Sequence, residues 1–202
     1  MKKYLSLSSR LPTLLVLGAS LLLPFQAQAV QIFQATLTGG QEVPPRSTSA
    51  TGSARLVLND TQTRLEMWLE ISGLDLDGLQ TPGTSDNVSA AHIHRAVAGV
   101  NGSVVFGFLG SPNNDSNGDT QVNPVVGTVY TAWDLNEGNN TTLAAELTNL
   151  FSQGLYFNFH TPQYPGGEIR GQIQAVPEPV SLALFTVGLA GLGLTRRHKS
   201  TV

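Results

Sequence analysis

The 202-residue chain contains no cysteine. Disulfides, thiolate metal ligands and thiol nucleophiles are therefore excluded, and the fold must hold by packing alone. Lysine is nearly as scarce, with Lys2, Lys3 and Lys199 at the two ends and none between them. Residues 30–175 carry thirteen carboxylates (seven Asp, six Glu) against five arginines, a formal charge of −8. Such a lysine-free, acidic surface is a poor partner for nucleic acid or anionic lipid, both of which need cationic neutralisation. No sequence repeat of about 20–50 residues is visible, which argues against a solenoid or propeller.

The two ends read as addresses. Residues 1–29 open on Lys2 and Lys3, continue through LPTLLVLGASLLLPF and close on Ala27-Gln28-Ala29. A basic start, a short apolar run and small residues before a cut make a secretory signal peptide, a signal helix that signal peptidase removes after Ala29. At the other end, Val180 to Leu194 is an uncharged run followed by Arg196, Arg197, His198 and Lys199. At about 1.5 Å per residue it spans about 22 Å, shorter than a ~30 Å hydrocarbon core. A buried C-terminal helix is the alternative. The basic cluster favours a transmembrane helix over 180–194, because positive charge stays cytoplasmic. Pro177 and Pro179 stop that helix from running back into the domain.

Pro177-Glu178-Pro179, the apolar helix and the terminal Arg196-Arg197 pair together resemble the PEP-CTERM sorting signal of exported bacterial proteins, here residues 176–202. The resemblance implies recognition by an exosortase and cleavage near the Pro-Glu-Pro. The domain would be anchored on the periplasmic side of the inner membrane, then released or attached at the cell surface, often within an exopolysaccharide matrix.

Residues 30–175 are one domain by length, long enough for a core without staples. Their apolar pattern has period two. In 64–72, Leu65, Met67, Leu69 and Ile71 fall on one face, and Arg64, Glu66, Trp68 and Glu70 on the other. Segments 32–38, 53–59, 103–109, 124–133, 154–161 and 168–175 continue the series, with Gly, Pro, Asn and Asp between them. One segment differs: in 141–154, Leu143, Leu147 and Leu150 stand at helical spacing before Gly154, an expected C-cap. Short strands with one late helix predict an all-β, antiparallel β-sandwich of Greek-key type.

Three of the four histidines lie in this domain. In a strand, residues i and i+2 share a face. His92 and His94 therefore point one way and Ile93 the other, toward the core. His160 ends a strand in which Tyr156 and Asn158 share its face. If the two strands are neighbours, three imidazoles meet. Neutral imidazoles bind copper or zinc, with bonds of about 2.0–2.1 Å to zinc. Two other readings stand beside this one. The rings can form a polar cluster bonded across strands to Glu168 or Asn158, or they can be merely solvated. Arg170, with Glu168 on the same strand face, adds to the case for a local polar cluster, the alternative being an ordinary same-face ion pair between them.

The segments TGGQEVPP (38–45), AHIH (91–94), Asn101-Gly102, YFN-x-HT (156–161) and GEIRGQ (167–172) together resemble the CHRD domain first described in chordin. They occur in the family's order. The resemblance implies an exported, immunoglobulin-like β-sandwich and no established enzymatic activity. The His-x-His pair is also distantly similar to the copper ligands of copper-zinc superoxide dismutase, with Arg170 placed like that enzyme's guiding arginine. The fuller histidine set, the zinc-loop aspartate and the disulfide of that family are missing. Two functions follow as expectations. One is a non-enzymatic surface or matrix module that binds a polysaccharide or a surface protein. The other is a copper or zinc protein, a carrier or dismutase-like enzyme, using His92, His94 and His160. Weaker motifs are a calcium-loop imitation at 113–119 that lacks a closing carboxylate, and a sugar-stacking platform of Trp68 and Trp133.

Overall fold

The computed structural model describes residues 30–177. The expected signal peptide with Ala27 and Ala29, together with Glu178, Pro179, helix 180–194 and the Arg196-Arg197 tail, lies outside the described residues. Pro177 is described and exposed. Among the described residues no helix is long and apolar enough to cross a membrane.

The strands are β1 (Gln31–Thr38), β2 (Thr51–Leu58), β3 (Arg64–Ser72), β4 (Ala90–Arg95) and β5 (Ser103–Leu109), followed by β6 (Gln121–Asn123) and β7 (Thr128–Asp134). After the helix α1 (Leu143–Phe151) come β8 (Leu155–His160), β9 (Ile169–Gln172) and β10 (Gln174–Ala175). All pair antiparallel in a single sheet, ordered β5-β4-β8-β9-β1-β2-β3-β7-β6, with β10 beside β1. The expected antiparallel β architecture with one late helix is what forms, and its layers are one continuous sheet.

That sheet curls into a half-barrel. β9 and β1 are joined only at Thr38 opposite Arg170, a narrow seam between two halves. Phe106 of β5 stacks on Trp133 of β7, with ring centroids 5.0 Å apart, so strands far apart in sheet order meet face to face across the core. Trp133 is fully buried there and donates its indole N–H to the Glu137 carbonyl. It therefore cannot serve a sugar platform, a correction to the reading of Trp68 and Trp133 as a pair. An apolar ring with one satisfied donor is better placed in a core than in water.

The alternation in β2 and β3 places Leu56, Leu58, Leu65, Met67 and Leu69 inside and leaves the intervening side chains outside. The helix α1 is capped by the Thr142 hydroxyl, which accepts from the Ala145 amide, and buries Leu143 and Leu150. Its end differs from expectation. Gln153, not Gly154, takes the left-handed backbone (φ 60°), and Gly154 packs bare against Asn149.

The other half of the sheet breaks the alternation, and this positions the site. β8 and β9 are buried on both faces except at His160, and β4 except at Arg95. Inward stand Ala91, Ile93, Phe157, Phe159 and Ile169. The outward face is covered by loops instead of solvent. Asn101 of the 96–102 loop donates to the Val43 carbonyl of the 39–47 loop at 2.8 Å, and Arg170 donates to the Val97 and Val100 carbonyls.

Candidate metal centre

Beneath those loops lies a row of polar side chains fixed by register. β4 pairs with β8 so that His92 faces Asn158, His94 faces Tyr156 and Ala90 faces His160. β8 in turn pairs Asn158 with Arg170 on β9. Residues directly opposite share a face, so one pleat collects all three histidines. Their ring centroids lie 5.0 Å (His92 to His160), 5.7 Å (His92 to His94) and 5.8 Å (His94 to His160) apart. One ring nitrogen from each falls within 4.8 Å of the other two. His92 and His94 are buried, and His160 is half-buried.

The hydrogen bonds decide which nitrogen each ring presents. His94 Nδ1 lies 2.9 Å from the Gly102 carbonyl, and His160 Nδ1 lies 3.0 Å from the Pro165 carbonyl. A carbonyl only accepts, so each Nδ1 carries the proton and each Nε2 is left with a lone pair. Both Nε2 atoms are buried without a partner, and so are both nitrogens of His92. The Ser111 carbonyl approaches His92 closely enough to favour its charged form, but without hydrogen-bond geometry.

Charge follows burial. Desolvation first, then the neighbouring His160 and His94 rings, push His92 from 6.5 to about 4. Burial likewise brings His94 to about 4, against the Gly102 bond and with help from His160 and Arg170. His160 is lowered by burial as well. At neutral pH all three are uncharged imidazoles.

Local sequence explains the fit. Gly107 lies opposite His92, and an added Cβ there would sit 1.9 Å from the Pro112 oxygen and 3.0 Å from the His92 ring. Only glycine lets the 110–112 turn lie over this strand. Gly102 does two jobs: its carbonyl pins His94, and its amide donates to the Tyr156 hydroxyl at 3.1 Å. Tyr156 stacks on His94 with centroids 5.0 Å apart, and the Arg170 guanidinium lies 3.4 Å over the centre of the Tyr156 ring.

The same-face Glu168–Arg170 ion pair does not form. The Glu168 carboxylate accepts from the Thr48 and Thr161 hydroxyls, each at 2.6 Å, while Arg170 is held by the Tyr156 ring, Asn101 and two loop carbonyls. Nor do the histidines bond to Glu168 or Asn158; their hydrogen bonds run to backbone carbonyls. Asn158 instead lies beside Glu42, and both close on the bare Gly167. Glu42 is 3% exposed. Its burial pushes it up from 4.5 to about 7, although Arg170 and Arg46 pull the other way.

Sequence reasoning missed Tyr156 as a ring support, Glu42, and the two pinning carbonyls. The signals were the Asn101-Gly102 turn and the Thr38–Pro45 segment, which mark close backbone approach without saying to what. The 113–119 stretch is a self-capped turn, because Asp115 accepts from the Gly118, Asp119 and Thr120 amides.

Three neutral nitrogens within reach of one point, two of them oriented through a carbonyl on the far side of the ring, are the arrangement of an imidazole metal site. On one tetrahedral zinc the nitrogens would stand about 3.3 Å apart. Loading therefore closes the nitrogens by up to about 1.5 Å. With no carboxylate in the set, the hard oxygen-seeking cations are poorly served, and copper or zinc fits.

Neither a curated protein nor a solved structure matches the chain. The CHRD domain model matches residues 33–173, a span from the second residue after Gln31 in β1 to the residue after β9, holding His92, His94 and His160. The chain belongs to the CHRD-domain family.

Proposed function

We propose that this protein is an exported, non-enzymatic binding module whose built site holds one copper or zinc ion on His92, His94 and His160. The reading extends to an immunoglobulin-like, Greek-key sandwich as the kind of fold and to sorting by an exosortase through Pro177, Glu178 and Pro179. The inner membrane is then a transient station and the cell surface or matrix the destination. The family match supports an extracellular module, and the acidic, lysine-free composition turns it away from nucleic acid.

One observation carries the metal assignment. The three rings present buried, unpartnered nitrogens to a common point while two of them are pinned behind by carbonyls. A merely polar cluster would spend those nitrogens on one another or on Asn158, since an unmade buried bond costs about 1–3 kcal/mol. A bound ion would keep a fourth position for water or a small anion. In this reading the module carries or senses the ion, with the rings held from behind by the Gly102 and Pro165 carbonyls.

Elemental analysis of the purified protein, with and without His92→Ala, tests the reading. About one equivalent of copper or zinc, lost in the variant and unaffected by calcium, is the expected result. A protein that takes up neither ion at micromolar concentration has no such centre.

A further inference from the structure

Among the described residues the outer face of the β1–β2–β3–β7 half is left open, and its side chains form two straight cross-strand rows. One row is Gln174, Gln34, Arg55, Trp68, Tyr130 and Gln121, each directly opposite the next. The second is Thr36, Ser53, Glu70, Thr128 and Asn123. Trp68 is 41% exposed at the middle of the first row. Tyr130 lies 5.5 Å from it and Arg55 5.7 Å over its ring. Grooves of about 590 and 490 Å³ run along the two sides of Trp68 and share it and Glu70 as common walls. Both volumes are within the range of small-ligand sites.

We propose that this face is a docking surface for a neutral polysaccharide strand, with Trp68 as its stacking platform. Three features select that occupant. Hydroxyl and amide groups dominate both rows, and these donate and accept as sugar hydroxyls do. The only charges in the two rows, Arg55 and Glu70, cancel, and the domain's −8 charge repels an anionic polymer. The first row crosses six strands, so at about 4.8 Å per strand it extends about 24 Å, the length of four or five sugar rings. A flat aromatic ring presents an apolar face to a sugar's C–H face, while its neighbours hold the rim.

The surface is separate from the histidines, and the two readings fail separately. Titration of the purified protein with cellohexaose, laminarihexaose and maltohexaose, followed by calorimetry and tryptophan fluorescence, tests the proposal. Alginate hexamer is the anionic control. Trp133 is buried, so a fluorescence change reports Trp68. At least one neutral hexaose binds with a Kd below about 1 mM. Trp68→Ala weakens binding at least about tenfold, Ser53→Arg, which fills the trough, does the same with the sheet intact, and His92→Ala leaves it unchanged. Silence from all three glucans, equal binding by Trp68→Ala and Ser53→Arg, or tighter binding of alginate would overturn it.

Discussion

Lowering the pH from 7 to 5 sets two buried groups against each other. His92 and His94 have folded values near 4 against 6.5. The unfolded chain therefore binds the extra protons, and stability falls as pH falls through this window. The two shifts together correspond to a loss of about 3–4 kcal/mol between pH 7 and 5, with His160 adding in the same direction. Glu42 acts oppositely. Its folded value near 7 lies above 4.5, so the folded state takes up the proton first and acidification relieves a buried charge. That relief is worth about 2 kcal/mol over the same window. Asp75 and Asp115, both held below their usual value of 3.8 mainly by backbone amides against the opposing effect of burial, act only below about pH 4–5. Metal-free wild type is thus expected to lose about 1–2 kcal/mol, and Glu42→Gln, which keeps the shape and removes the opposing group, about 3–4 kcal/mol. Urea unfolding in chelator at pH 7, 6 and 5 measures both. A Glu42→Gln profile no steeper than wild type would show that Glu42 does not oppose the histidines, and a Glu42→Gln profile flat from pH 7 to 5 would show that the buried rings are not held neutral as argued.

Three other outcomes follow. Gly107→Ala pushes a methyl into the Pro112 carbonyl and toward the His92 ring; metal affinity, read by chelator competition, should fall about 10–100-fold while the far half of the sheet keeps its stability. Tyr156→Phe keeps the stack on His94 but removes the acceptor for the Gly102 amide. It should weaken metal binding several-fold and cost about 1 kcal/mol in urea unfolding. Phe106→Ala empties the contact with Trp133 that closes the half-barrel, at about 3–5 kcal/mol by thermal or urea unfolding, with a red-shifted Trp133 emission.

Much of the fold was legible because period-two burial is written directly into β2 and β3, where one face meets the core and the other meets water. The His-x-His geometry was legible for the same reason, and Leu143, Leu147 and Leu150 marked α1. What stayed hidden depends on partners distant in the chain. Glu42 reads as a turn carboxylate until the 96–102 loop and Arg170 bury it. Arg170 and Glu168, two apart on one strand, invite an ion pair, yet each finds nearer hydrogen-bond partners contributed by loops. Trp133 falls on the opposite sheet face from Trp68, because it pairs with the inward Leu65 while Trp68 pairs with the outward Tyr130, a register the sequence does not show. Gln121–Asn123 is too short and polar to read as a strand; it forms because β7 offers it an edge.

The most direct measurement is anomalous diffraction at the zinc and copper absorption edges, on crystals grown with each ion. The account predicts one peak per molecule, about 2.0–2.1 Å from the Nε2 atoms of His94 and His160 and from one nitrogen of His92. A peak elsewhere, or three rings still apart around no ion at saturating metal, would contradict it.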